Sequence, residues 1–252
     1  MDHLLNDPLL VFASSLLVLW PSVYVGDFLR KRVRSLQEDE RADIGLVFGA
    51  TLTLLALLIG FSFSMAVSRY DQRKNYEEAE ANAIGTEYVR ADLLPAANAA
   101  LERELLKKYL DQRVLFYVTR DDRQLRQIDT DTSELQTELW SAVHAADAQP
   151  TPLVALAVSG MNDVLNSQGY TQAAWWNRIP VAAWALMFAI AIGCTLITGY
   201  SAHQTGRMLF LILPLAASIS FYLIAEIDSP RSGLIRVAPQ NLLSLSQSLH
   251  QH

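Results

Sequence analysis

Four stretches of this chain run for 18 residues or more without a charged side chain, and they constrain the fold more than any other feature. They cover residues 8–26, 44–68, 179–202 and 208–225. A bilayer core about 30 Å thick is crossed by roughly 20 helical residues, so each run is long enough to span it. The runs also account for the composition. Only 18% of the 252 residues are charged, against about 25% in an ordinary soluble domain. The chain reads as a polytopic membrane protein, which excludes a secreted enzyme or a soluble nucleic-acid binder. Its formal charge of −6 also lacks the basic excess that binds polyanions. The single cysteine, Cys194, lies inside the third run. It leaves no disulfide framework within one chain and no thiolate cage for zinc. The first run is expected to stay as a helix: Asp2, His3 and Asp7 stand where a signal peptide carries positive charge, and no small-x-small site follows Pro21 and Gly26.

The order of elements is helix, loop, helix, long polar segment, helix, short loop, helix, tail. This divides the chain into 1–68 (spans one and two), 69–178 (a helical extramembrane domain) and 179–252 (spans three and four with the tail). The polar segment holds 12 basic and 17 acidic residues. It is rich in Glu, Ala, Leu, Arg and Gln and lacks strand-like alternation, so it reads as helical throughout. Neither proline nor glycine occurs between Ser68 and Ile84. The second span is therefore expected to continue as the first polar helix, with Ala81, Ile84, Tyr88 and Ala91 as its buried stripe and Pro95 as its end. A second helix over 96–118 is apolar at Leu101, Leu105, Leu106, Tyr109, Leu110, Val114 and Tyr117. A third over 122–146 carries Leu125, Ile128, Leu135, Leu139 and Val143, and Pro150 and Pro152 break the chain after it. A fourth over 153–166 leads through Gly169 to Tyr170, Trp175 and Trp176. These three aromatics, with Tyr200 and Tyr222, form an expected membrane-interface belt.

No catalytic constellation is present: the five histidines are scattered, and no nucleophile elbow, zinc-protease or phosphate-loop pattern occurs. Asp129 and Asp131 lack the glycine and distant glutamate of a calcium loop and read as helix surface. No catalytic residue, metal or cofactor is expected. The second span is more informative. Thr53, Leu57, Gly60, Ser64 and Asp71 recur along one helical stripe, with Phe61 and Ser68 on its flank. Small hydroxyl side chains can solvate an ion, and rings of Leu57 and Phe61 can gate by dewetting, which makes the stripe a pore wall. The same Gly and Ser residues equally suit close helix packing in a membrane. Arg69, Tyr70, Asp71 and Arg73 follow this span, and Glu226, Asp228, Arg231 and Arg236 follow the fourth. These boundary residues read either as an ion-coordinating vestibule or as a structural turn with interfacial ion pairs.

The run Gly60-Phe61, with Arg69-Tyr70 nine residues after the glycine and Asp71 and Arg73 following, resembles the bestrophin anion-channel signature. In that family a Gly-Phe pair precedes an Arg-Trp-Trp/Tyr run by the same interval in a chloride-conducting helix. The stretches at 60–73, 81–86, 90–95 and 228–234 are similar to the bacterial bestrophin-like membrane family over nearly the whole chain. The resemblance implies neck positions at Thr53, Leu57 and Phe61, the first of them polar where bestrophins are apolar. It also implies a ring of subunits, expected as a homo-pentamer, that conducts small anions such as chloride. Tyr70 and Asp71 replace the family's tryptophans, and no acidic calcium clasp is evident.

The basic residues of the first loop, Arg30, Lys31, Arg32 and Arg34, favour that loop inside. The resemblance instead implies a cytoplasmic helical domain in a bacterial inner membrane, and that orientation is adopted. The chain is thus expected to be an all-α, four-span membrane protein with a central helical domain, forming an oligomeric anion channel lined by span two. Closed cyclic symmetry would enclose the axial pore. The alternative is a membrane-embedded sensor or scaffold whose helical domain binds a partner. A proton-coupled transporter comes third, because no ionisable residue lies mid-span.

Overall fold

The computed structural model describes residues 7–32, 38–145, 151–201 and 209–251. Among these every regular element is helical: α1 (Pro8–Arg32), α2 (Glu38–Arg90), a 3₁₀ turn (Ala91–Leu93), α3 (Ala96–Val118), α4 (Asp122–Ala145), α5 (Pro152–Trp176), α6 (Val181–Ser201), α7 (Leu209–Asp228) and α8 (Gln240–His250). Among the described residues, four helical stretches are long and apolar enough to cross a membrane, and each overlaps one of the four uncharged runs. Arg34, Pro150, the loop at 203–207 and the N-terminal Asp2 and His3 lie outside the described residues.

The chain forms two compact units, one of Met1–Tyr70 with Arg178–Arg236, the other of Asp71–Asn177 with Val237–His252. The first holds the apolar helices. Lipid is as apolar as leucine, so such helices associate by close packing more than by escape from water. Glycine makes that contact where α1 meets α6: a Cβ on Gly26 would strike the Leu196 carbonyl, and one on Gly199 the Val23 carbonyl. Leu55, Trp184, Met187, Phe221 and Ile224 form the centre of the cluster around them. Pro21 in α1 and Pro214 in α7 sit inside helices, as membrane helices tolerate. α1 also runs further than its uncharged run, taking in Arg30, Lys31 and Arg32, with Asp27 bonded to Arg30 at 2.7 Å.

In the second unit, local signals start the helices. Pro95 precedes α3 with φ −54. Asp121 accepts from the Arg123 and Gln124 amides at 2.7 and 3.1 Å at the start of α4. Thr151 accepts from the Val154 amide at 3.2 Å, with Pro152 in the first turn of α5. Leu106, Tyr109, Leu110, Phe116, Leu139 and Met161 are buried at its centre.

Three sequence expectations are corrected here. Leu101, assigned to the buried face of α3, is 48% exposed, and Glu102 is fully buried beside it. α5 does not stop at residue 166 but runs through Gly169 to Trp176; its i→i+4 ladder absorbs both Gly160 and Gly169. Trp175 is no interface anchor but a buried core ring, 4.9 Å from Phe116 and 5.4 Å from Tyr117 between centroids, whereas Tyr170 and Trp176 are exposed. Residues 237–251 group with the helical unit.

Candidate functional site

Within the apolar unit, α2 has one packed face and one bare face. Leu55, Ser62 and Ala66 are buried, and Phe48, Leu52, Ile59 and Tyr70 are partly buried against the same cluster. At about 100° per residue these fall on one side of the helix. Thr53, Leu57, Gly60, Phe61, Ser64 and Ser68 fall on the other, and all six are exposed. Leu57 is 52% and Phe61 61% exposed, and nothing lies within 4 Å of a Cβ built on Gly60. The Thr53 hydroxyl donates to the Gly49 carbonyl at 2.8 Å. The face thus carries small and hydroxyl groups with Leu57 and Phe61 between them, uncovered by the other described residues.

The boundary residues divide into separate structures. Asp228, at the C-terminus of α7, is 1% exposed. Its carboxylate accepts from the Ile179 amide at 3.3 and 3.2 Å, faces the Arg178 guanidinium at 3.4 Å and Arg69 at 3.9 Å. One carboxylate therefore ties the ends of three apolar helices together. Glu226 is also buried, but its partners are the backbone amides of Leu234 and Ile235. It fills the turn that Gly233 makes at φ 87, where any side chain would strike the carboxylate. Arg231 and Arg236 are half-buried on that turn and Asp71 is exposed. Arg73 does not face a vestibule: it is 1% exposed inside the helical unit, donating to the Ala174 carbonyl at 3.4 Å.

A family model described as a bestrophin-like domain matches residues 15–242. The chain belongs to the bestrophin-like family. Solved structures agree in fold. A bacterial bestrophin homologue from Klebsiella pneumoniae, in a leucine-to-threonine variant, matches with a TM-score of 0.68 at 12% identity, over 95% of this chain and 98% of that one. The structure of the Klebsiella homologue phased on zinc gives 0.66 at 12% over 96% and 97%. An aspartate-to-alanine variant gives 0.67 at 13% over the same shares. No curated protein matches the sequence.

This bestrophin-like chain also buries a row of charges that sequence reading passed over. Arg73, Glu77, Glu80 and Glu87 on α2 are all at most 1% exposed. They share one stripe with Ile84 and Ala91, at the three- and four-residue spacing of a packed face. That spacing was the available signal; the charges disguised it. Glu80 pairs with fully buried Arg113 and accepts from Thr171 at 3.1 Å and Tyr117 at 3.4 Å. Glu77 accepts from the Asn241 and Leu242 amides at 2.9 and 3.0 Å and from the Asn241 side chain at 2.6 Å, capping α8. Glu87 faces Glu102 of α3, and burial raises both carboxyls, to about 9 and about 7. Among the described residues no group of three or more His, Cys, Asp or Glu is arranged to hold a metal.

Proposed function

We propose that the chain assembles as a homo-oligomeric ring in a bacterial inner membrane and conducts small anions through a pore lined by the bare face of α2. The carrying observation is that face: three hydroxyls and a glycine at span depth with no cover among the described residues. Hydroxyls do little for contact with lipid tails, whereas around an axis they replace part of an ion's hydration shell. The likeness to bacterial bestrophin homologues supports the ring, with a pentamer as the expected number. In this reading α2 passes unbroken from the membrane into a cytoplasmic helical domain, and Leu57 and Phe61 form the neck. Both are more than half exposed in the subunit, so truncating them leaves little cavity in its own fold.

Planar-bilayer recording on Leu57→Ala and Phe61→Ala tests this. A wider neck holds hydrated ions more readily, so each variant is expected to carry larger current or open more often, with the melting temperature close to that of the parent. Fully packed side chains would instead lose roughly 2–5 kcal/mol on truncation. Lower stability without added current in both variants would replace the channel by the membrane-embedded scaffold.

A further inference from the structure

The strongest feature outside the proposed pore is the pair Glu87 and Glu102. Both side chains have no exposed surface, although they come from different helices, α2 and α3. None of their four carboxylate oxygens accepts a hydrogen bond from a backbone or side-chain N–H or O–H among the described residues. They lie within hydrogen-bonding reach of one another. Two carboxylates have only acceptors, so a bond between them requires a proton. The third wall is α5: a Cβ on Gly160 would run into the Glu87 carboxylate and the Arg90 guanidinium, so glycine lets the α5 backbone close over the pair.

The charged surroundings do not neutralise two anions. On α2, Arg90 stands 3.9 Å from Glu87 and is one-third exposed. On α3, Arg103 lies near Glu102 but is bonded to Asp92 in the 3₁₀ turn. On α5, Asp163 adds a further negative charge facing Glu87. The balance is three carboxylates near one partly committed cation and one engaged elsewhere. Like charges in a desolvated site disfavour double ionisation.

We propose that Glu87 and Glu102 form a proton-binding site that clasps α3 and α5 to the extramembrane end of α2 and releases them when its proton is lost. The proton donates from one carboxyl to the other; removing it sets two anions against each other across the α2–α3 contact. The clasp acts on the same helix that carries the bare face, yet it does not depend on conduction. Its linkage has a definite sign. Both carboxyls sit above the ordinary 4.5 in the folded chain, so the folded state holds more protons than the unfolded one above that pH. Their contribution to stability is fully present below about 4.5 and is lost as pH rises through the folded values. The two steps belong to the pair rather than to either residue.

The test is infrared spectroscopy and thermal melting of the intact assembly in detergent, for the parent, Glu87→Gln and Glu102→Gln. A glutamine amide can donate to the remaining carboxylate, so each variant keeps the bond without the shared proton. The parent is expected to show a protonated-carboxyl band at pH 7 that fades toward pH 10 and is missing in both variants. The fall in melting temperature between pH 6 and pH 10 should be at least halved in the variants. The proposal is overturned if the parent has no such band at pH 7, a result that needs no variant to fold. It is equally overturned if the variants keep the parent's pH slope, or if calcium or magnesium alone abolishes the band and raises the melting temperature, which would make the pair a cation site.

Discussion

Arg113 and Glu80 offer the sharpest perturbation of the helical unit. Both side chains are fully buried, and the guanidinium lies over the Phe116 ring at 4.5 Å. Two of its nitrogens, Nη1 and Nη2, have no hydrogen-bond partner among the described residues, so Glu80 supplies its main compensation. Removing that carboxylate strands a cation away from water, a change that costs about 3–5 kcal/mol when one partner of a buried pair is lost. Glu80→Met should sit at the upper end, because the Thr171 and Tyr117 hydroxyls lose their acceptor too. Arg113→Met should sit lower, since those hydroxyls still satisfy one oxygen of Glu80. The double variant removes both charges and fills the space with apolar volume, so it should cost under about 2 kcal/mol, and the coupling should reach roughly 3 kcal/mol or more. Denaturant unfolding followed by fluorescence can report it, because Trp175 packs edge-to-face against the adjoining Phe116 and Tyr117. Single variants costing under about 1 kcal/mol, or a double variant additive to within about 0.5 kcal/mol, would refute the pairing.

Two further predictions concern close contacts. Gly199→Leu forces α1 away from α6 and should lower the melting temperature, an overpacking cost of about 1–3 kcal/mol or more. Gly193→Leu on the same helix, where a Cβ meets nothing within 4 Å, should leave it nearly unchanged. Glu77→Ala removes three bonds from the start of α8, each a charge-assisted hydrogen bond or cap. Amide exchange across 240–250 should rise about 30-fold, equivalent to about 2 kcal/mol, while exchange in α6 stays as it was.

The spans were legible because absence of charge over 18 or more residues has few physical meanings, and the helical unit because its composition and prolines mark helices and their ends. The bare face of α2 was legible as a stripe, since Thr53, Gly60 and Ser64 keep their spacing whatever covers them. The buried acids were not legible. Glu77, Glu80 and Glu87 have the spacing of a core face but the chemistry of a surface one, and only tertiary partners such as Arg113 and the α8 amides reveal which applies. Leu101 failed for the complementary reason: its neighbour Glu102 took the inward position, and no local preference ranks a carboxylate above a leucine for burial. Trp175 was misplaced because an aromatic before a span suits two environments equally, and the choice lay with Phe116 and Tyr117, nearly 60 positions away in the chain.

The cap that Glu77 places on α8 also orders events on the ribosome. The helical unit has nearly all its parts once residue 177 has emerged, but the amides that satisfy Glu77 belong to residues 241 and 242. Between them the chain must deliver two whole spans to the bilayer. At about 5–20 residues per second, those 64 positions take roughly 3–13 s. For that interval a carboxylate destined for the interior stays open to water, and the surface that receives α8 stays vacant. α8 is therefore a timer as well as a lid: the unit closes only after the two spans upstream of it have been synthesised.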